Sequence, residues 1–384
     1  MKAIVNGQIY YEGKFQKGKV LVYSNTIESI LTQSAYEDIK KHMDEETNAE
    51  GNFVVPGFID VHIHGYQGVD VMNGTTEALN TMKKGLVENG VTSFLATTMT
   101  MPKPDITKAL DAVREVMKEQ EKTSYGATIV GVHLEGPFIN AEKKGAQPEE
   151  YIIHPEEELV EPYLDLIKVI TIAPEVEDSL AFIKKYHKSI NFSLGHTSAT
   201  YEEAMKAFEC GACGSTHTFN AMTGMHHRKP GVVTAALTSD CYTELIADKF
   251  HVHEGIFPLF IKAKGLQKIL LVTDCMQAGG LTEGEYELGG QKVTVSDGKC
   301  LLDSGTIAGS VLKLNEGLKN FHENVKEGLE QVLPIVTMNQ ARYLGLDHQI
   351  GSLEEDKQAD IVIMNDQFEI IKTIVKGNIE YENC

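Results

Sequence analysis

The sequence predicts an α/β protein: a (β/α)8, TIM-like barrel with a small sheet domain assembled from both chain ends. Three observations lead there. Eight short apolar, β-rich runs recur between residues 58 and 274, most of them separated by helix-patterned segments. The two chain ends read as short strands broken by turn residues. The ionisable residues of the middle region fall at the C-terminal ends of the predicted strands, where barrel sites are built.

The N-terminal strands are expected at Ala3–Asn6, Gln8–Tyr11, Lys19–Tyr23 and Thr26–Leu31, divided by Gly and Asn turn signals. The acidic stretch Asp44–Glu50 reads as a solvated connection. The barrel strands follow at Phe58–His64, Val91–Thr97, Thr128–Glu135, Val169–Ala173, Ile190–His196, Gly214–Phe219, Thr243–Asp248 and Ile269–Asp274. Helices are expected at Thr76–Asn89, Asp105–Glu121, Val176–Tyr186, Tyr201–Cys210 and Glu254–Lys264. Thr200 and Glu203 stand at capping-box spacing for the fourth of these. Continuous apolar strands alternating with helices indicate a parallel sheet buried on both faces. Tyr286–Leu302 reads as a hairpin region with Asp297-Gly298 as its turn. Helical patterns cover Leu312–Val325 and Leu329–Leu344; strands at Ala359–Met364 and Phe368–Tyr381, with Gly377-Asn378 as a turn, close the chain. The domain division is thus 1–53 with 350–384 for the sheet domain, and 54–349 for the barrel.

Bulk properties narrow the function classes. The 384 residues carry a formal charge of -20, which disfavours nucleic acid and anionic membrane as partners. No run approaches the roughly 18 apolar residues of a membrane span, and the N-terminus has no secretory pattern, so a cytoplasmic location is expected. The six cysteines, Cys210, Cys213, Cys241, Cys275, Cys300 and Cys384, are scattered and expected to be reduced thiols. Cys210 and Cys213 form a CxxC without a second pair at zinc-ribbon spacing. Neither a GxGxxG after a strand nor a P-loop pattern is present.

The chemistry concentrates in six residues. His62 and His64 close the first barrel strand in PGFIDVHIHG, and their i, i+2 spacing puts both rings on one face. Glu135 closes the third strand in GVHLEGP, His196 the fifth in FSLGHT, His217 lies in the sixth in STHTFNAM, and Asp274 closes the eighth in LLVTDC. A lone histidine at such a place is more often a hydrogen-bonded core residue. A set of four imidazoles and a carboxylate converging on one barrel mouth is what a divalent transition ion requires. Asp60 and His133 are read as structural or orienting neighbours of the ligands, and Cys275 as packing.

These motifs resemble the amidohydrolase superfamily, and within it the N-acetylglucosamine-6-phosphate deacetylases. The resemblance rests on PGFIDVHIHG, HLEGPF with KKGAQ, LGHTSAT, STHTFNAMTGMHHRKPG, ADKFHVH, LVTDCMQAGG and TIAGS, in order from about residue 51 to 310, and on GSLEEDKQADIVI near the C-terminus. It implies a barrel with a β-sandwich built from both chain ends. It implies hydrolysis of N-acetyl-D-glucosamine 6-phosphate to acetate and D-glucosamine 6-phosphate, in amino-sugar catabolism and recycling. His62, His64, Glu135, His196 and His217 would hold one or two divalent ions, zinc or iron, with Glu135 in place of the carboxylated lysine of other superfamily members. Asp274 would take the proton of the attacking water and deliver it to the leaving amine. Arg228 matches the family's phosphate-binding position, with His227 beside it, and His251 matches a substrate-binding position. Asn220 and Ala221 would hold the phosphate or sugar; Ala146, Ile307, Ala308 and Gly309 would line the pocket. In this family the phosphate grip is completed across a homodimer interface, so a homodimer is implied. Thr223–His227 departs from the family pattern. The rivals are a different amide or deamination chemistry on the same scaffold, and a non-catalytic scaffold that has lost its metal.

Overall fold

A computed structural model describes residues 1–123 and 125–383. Eight parallel strands form one sheet in sequential order: Phe58–Ile63, Val91–Thr98, Thr128–Glu135, Ile167–Ile172, Asn191–Leu194, Gly214–Ser215, Tyr242–Ile246 and Ile269–Val272. The last meets the first: the Asp274 amide donates to the His62 carbonyl (2.9 Å), and Ile63 bridges Cys275 in parallel. The sheet is therefore closed, as the alternation of strand and helix patterns predicts. Val61, Leu95, Val169, Ile246, Leu270 and Val272, drawn from five of its strands, pack into one buried cluster.

Several predicted strands end one or more residues early, and the cause is local. His196, His217 and Asp274 have φ of 48°, 30° and 49°. A left-handed residue takes the backbone out of the ladder, so the fifth, sixth and eighth strands stop before the side chains that matter. In the first strand the neighbouring pairs Phe94–Asp60 and Ala96–Ile63 show one extra residue. Such a bulge re-aims side chains beside an active site.

The helices Thr76–Leu86, Lys103–Gln120, Ser179–Tyr186, Tyr201–Glu209 and Phe257–Lys264 occupy the predicted places. The capping box at Thr200 and Glu203 forms, with the Thr200 amide donating to Glu203 (2.8 Å). The helix Val232–Thr238 has no strong sequence signal because VVTAALT is rich in β-branched residues; burial of Val232, Val233 and Ala235 decides it. Leu329–Leu344 is not one helix. Pro334 and the non-helical Thr337 (φ -132°, ψ -92°) divide it into Leu329–Val332, a 3-10 turn and Met338–Tyr343.

The chain ends form two further sheets. One orders Ile27–Thr32, Lys19–Tyr23, Lys2–Val5 and Glu45–Asn48. The other orders Asn378–Glu382, Ile370–Val375, Ile361–Met364, Phe53–Pro56, Gln8–Tyr11 and Lys14–Gln16. Ile4, Leu21 and Tyr23 of the first pack on Ile9, Val54, Ile361 and Ile374 of the second. Glu45–Asn48 corrects the expectation of a solvated connection at Asp44–Glu50. It is an edge strand with only Thr47 buried, so its composition looks like a loop. The final turn also shifts by one residue: Lys376 (φ 48°) and Gly377 (φ 78°) make it, rather than Gly377-Asn378. Asp297 (φ 51°) and Gly298 (φ 72°) do turn between Gln291–Ser296 and Lys299–Leu302, the last two strands of a three-stranded sheet that begins with Gly284–Leu288. The five cysteines among the described residues are unpaired; Cys384 lies outside them. No helix among the described residues is long and apolar enough to cross a membrane.

Candidate metal centre

The barrel ends gather all five candidate ligands and Asp274 into one buried centre. Glu135 Oε1 lies 3.1 Å from His217 Nε2, 3.3 Å from His196 Nε2 and 3.4 Å from His62 Nε2; its Oε2 lies 3.2 Å from His64 Nε2. Asp274 Oδ1 is 3.2 Å from His64 Nε2 and 3.5 Å from His62 Nε2. The two remaining pairs, His62 with His64 and His196 with His217, bring their Nε2 atoms to 3.4 and 3.0 Å. Two triads of these six residues result, Glu135–His196–His217 and His62–His64–Asp274, and the Glu135 carboxylate touches both; a third group, His62–His133–Glu244, is also close enough to share an ion.

The donor set fits a divalent cation. A tetrahedral ion with bonds of roughly 2.0–2.2 Å places its ligand atoms about 3.3–3.6 Å apart, close to the spacings within each triad. The ring nitrogens point the right way. His196 Nδ1 faces the Lys143 carbonyl (2.8 Å), an acceptor, so this nitrogen carries the proton and Nε2 presents a lone pair. His62 Nδ1 faces a carboxylate, Glu244 Oε2, at 2.9 Å, which leaves Nε2 as the nitrogen that can turn to a cation.

The fields in the centre are strong. Burial alone would push His62 and His64 down. The carboxylates of Glu244, Asp274 and Glu135 instead hold His62 well above its usual value, and hydrogen bonds to Asp274 and Glu135 bring His64 to about 10. Conversely, burial opposes ionisation of Glu135 and Asp274. The charge of His62 and contacts with its fellow imidazoles keep Glu135 well below the carboxylate range; His62 and His64 hold Asp274 at about 2. Such strongly opposed groups in one cleft mark a functional site.

Asp60 and His133 stay out of the ligand set and orient it. Asp60 accepts from the Thr273 hydroxyl (2.6 Å) and the His62 amide (3.2 Å). His133 stacks edge-on to His62, with ring centroids 4.6 Å apart, and its nitrogens meet the Val61 carbonyl and the Thr171 hydroxyl. Burial takes His133 down to about 4, so it is neutral. Cys275 is fully buried, and its carbonyl accepts from the His64 and Gly65 amides.

Sequence reasoning missed two groups. Gln147 donates to Glu135 Oε2 (2.7 Å) and accepts from the Thr100 amide (2.7 Å), fixing the carboxylate's free edge. It is the last residue of KKGAQ, directly after Ala146, and its place in that motif was the signal. Glu244, wholly buried in the seventh strand, meets His62. A lone acidic residue within the apolar run YTELI was the signal there.

A cavity of about 300 Å³ opens onto the centre. Ala146, Asn220, Ala221, His251, Ile307 and Gly309 line it, together with His64, Glu135, His196, His217 and Asp274. His251 Nδ1 is tied to Asp248 at 2.6 Å. Ala308 does not reach the cavity: it is fully buried, with its amide on the Cys300 carbonyl. His227 and Arg228 also lie outside it, on the exposed loop after Met222, where the Arg228 guanidinium meets the His227 ring (2.6 Å).

Known proteins are similar to this chain over most of its length. The model of the amidohydrolase family matches residues 53–379. An N-acetylglucosamine-6-phosphate deacetylase of Bacillus subtilis (strain 168) is 39% identical over 372 residues, covering 95% of this chain and 93% of that protein. An N-acetylgalactosamine-6-phosphate deacetylase of Escherichia coli O157:H7 is 33% identical, covering 87% and 89%. The crystal structure of the N-acetylglucosamine-6-phosphate deacetylase of Pasteurella multocida superposes with a TM-score of 0.92 at 34% identity, over 100% of both chains.

Proposed function

Because the chain belongs to the amidohydrolase family, we propose that it hydrolyses the acetamide of N-acetyl-D-glucosamine 6-phosphate to acetate and D-glucosamine 6-phosphate. The observation that carries this reading is the Glu135 carboxylate shared between two triads at the foot of a cavity of about 300 Å³. Residues 54–349 carry the chemistry in this reading, and 1–53 with 350–384 form a unit beside them. The location we infer is the cytoplasm, where amino-sugar catabolism and recycling would use this reaction.

His62, His64, Glu135, His196 and His217 would hold one or two divalent ions, zinc or iron. A cation bound there supplies Lewis acidity, which lowers the pKa of water and polarises a carbonyl. Asp274 lines the cavity and is ionised at neutral pH, as a general base must be. It takes a proton from the attacking water as the C–O bond forms. It then delivers that proton to the amide nitrogen as the C–N bond breaks, so that the amine leaves neutral. His251, with Nδ1 bound to Asp248, has Nε2 left to meet a substrate oxygen. Asn220 and Ala221 border the sugar's space. Arg228 and His227, exposed on their loop, suit a phosphate reaching them at an interface with a second copy, since a guanidinium binds phosphate in a fixed fork. A homodimer therefore belongs to the proposal.

The test is acetate release from N-acetylglucosamine 6-phosphate and its galactosamine epimer, with metal content measured on the same sample. Turnover of the glucosamine compound is expected. Activity on N-acyl amino acids with none on either sugar phosphate would overturn the proposal.

A further inference from the structure

Glu244 is a buried carboxylate that neither the ligand set nor the proton path uses. Burying a charge is costly unless something compensates it. Its Oε2 accepts from His62 Nδ1 (2.9 Å) and from the His217 amide (3.0 Å), while Oε1 has no hydrogen-bond partner among the described residues. One oxygen thus grips one residue of each triad.

The two contacts do different things. Facing Nδ1 with a carboxylate fixes the His62 proton there and turns the Nε2 lone pair toward His64, Glu135 and Asp274. It also makes that nitrogen a stronger donor. The second contact anchors the backbone of His217 in its left-handed conformation (φ 30°). Charge adds a third effect. With neutral imidazoles, Glu135, Asp274 and Glu244 together carry three negative charges. One divalent ion leaves a net negative charge in the barrel; two leave a single positive charge, which an anionic ligand neutralises.

We propose that Glu244 is a positioning residue whose charge and contact with His62 make the His62–His64–Asp274 triad a second cation site. The proposal rests on the ligand sets assigned above. The probe is zinc alone, titrated against a competing chelator into metal-free wild type and Glu244→Gln, with no substrate present. Gln keeps the shape and can still accept the His217 amide, but loses the charge. Two ions per chain are expected in the wild type. In the variant one ion should keep its affinity within about threefold, and the other should weaken by roughly tenfold to a hundredfold. Glu244→Asp, which keeps the charge, should recover part of the loss. Three results would overturn the proposal: a single ion in the wild type, unchanged binding in the variant, or equal weakening of both ions with a lowered melting temperature. If Glu244→Gln does not fold, nitrogen-15 NMR of zinc-loaded wild type decides. A proton on His62 Nδ1 supports the proposal, and one on Nε2 sinks it. Because no sugar enters these measurements, they stand or fall separately from the acetate assay.

Discussion

At the scale of single residues, the proposed roles of binding and proton transfer meet at Asp274. Asp274 touches His62 and His64 and also lines the cavity, so it is placed for proton transfer. Asp274→Asn should keep the fold and an ion on Glu135, His196 and His217 while slowing acetate release by about 10²–10⁴-fold, the usual share of a general acid–base. A variant that keeps its metal and the wild-type rate removes Asp274 from this role. Gln147 acts at one remove. Its side chain satisfies both Glu135 Oε2 and the buried Thr100 amide. Gln147→Leu fills similar space but removes this partner from the Thr100 amide and leaves Glu135 Oε2 with His64. It should cost about 1–3 kcal/mol in urea unfolding and weaken metal binding, and an unchanged midpoint would contradict this account.

At the scale of elements, a few backbone positions decide where side chains point. Gly377 (φ 78°) turns the chain between the last two strands, and a Cβ there would lie 1.9 Å from the Ser24 carbonyl oxygen. Gly377→Ala therefore pays conformational strain of about 1–3 kcal/mol, and contact with Ser24 adds to it. Thermal unfolding should show a clear drop, with turnover per folded molecule unchanged. The sequence made much of this level legible. All eight barrel runs lie where apolar β-rich segments alternate with helical ones, and Thr200 with Glu203 announces its helix by spacing alone. What stayed hidden depends on tertiary context. The left-handed turns at His196, His217 and Asp274 are unusual for those residue types, so nothing local predicts that the strands stop short of them. Glu45–Asn48 pairs along a sheet edge with one buried side chain, and its pattern cannot be told from a loop. At the site, the ligands stand out because their motifs are compact. Glu244 is a single acidic letter whose meaning comes from facing His62 across the barrel.

At the scale of the whole molecule, the centre couples metal, protons and stability. Consider the chelated protein first. His64 is raised to about 10 in the folded state from an ordinary value near 6.5. A raised imidazole contributes stability that is fully present below about pH 6.5 and is lost as pH climbs through 10. Asp274 is lowered to about 2 from 3.8. Its contribution is present above about pH 4 and is lost as pH falls through 2. Between about pH 4 and 6.5 both contributions are intact, whereas raising the pH from 6.5 to 9.5 erodes the chelated protein through His64 and the likewise raised His62. Zinc reverses the sign. It binds the deprotonated imidazole, displaces that proton, and binds more tightly as pH rises. An ion at a hundred times its dissociation constant adds about 2.7 kcal/mol of stability. The gap in urea midpoint between zinc-loaded and chelated protein should therefore widen from pH 6.5 to 9.5, and His64→Asn should remove part of that widening, the rest coming from His62, which is raised as well. A gap that stays constant or narrows would show that His64 does not exchange its proton for the ion, and would place the metal on Glu135, His196 and His217 alone.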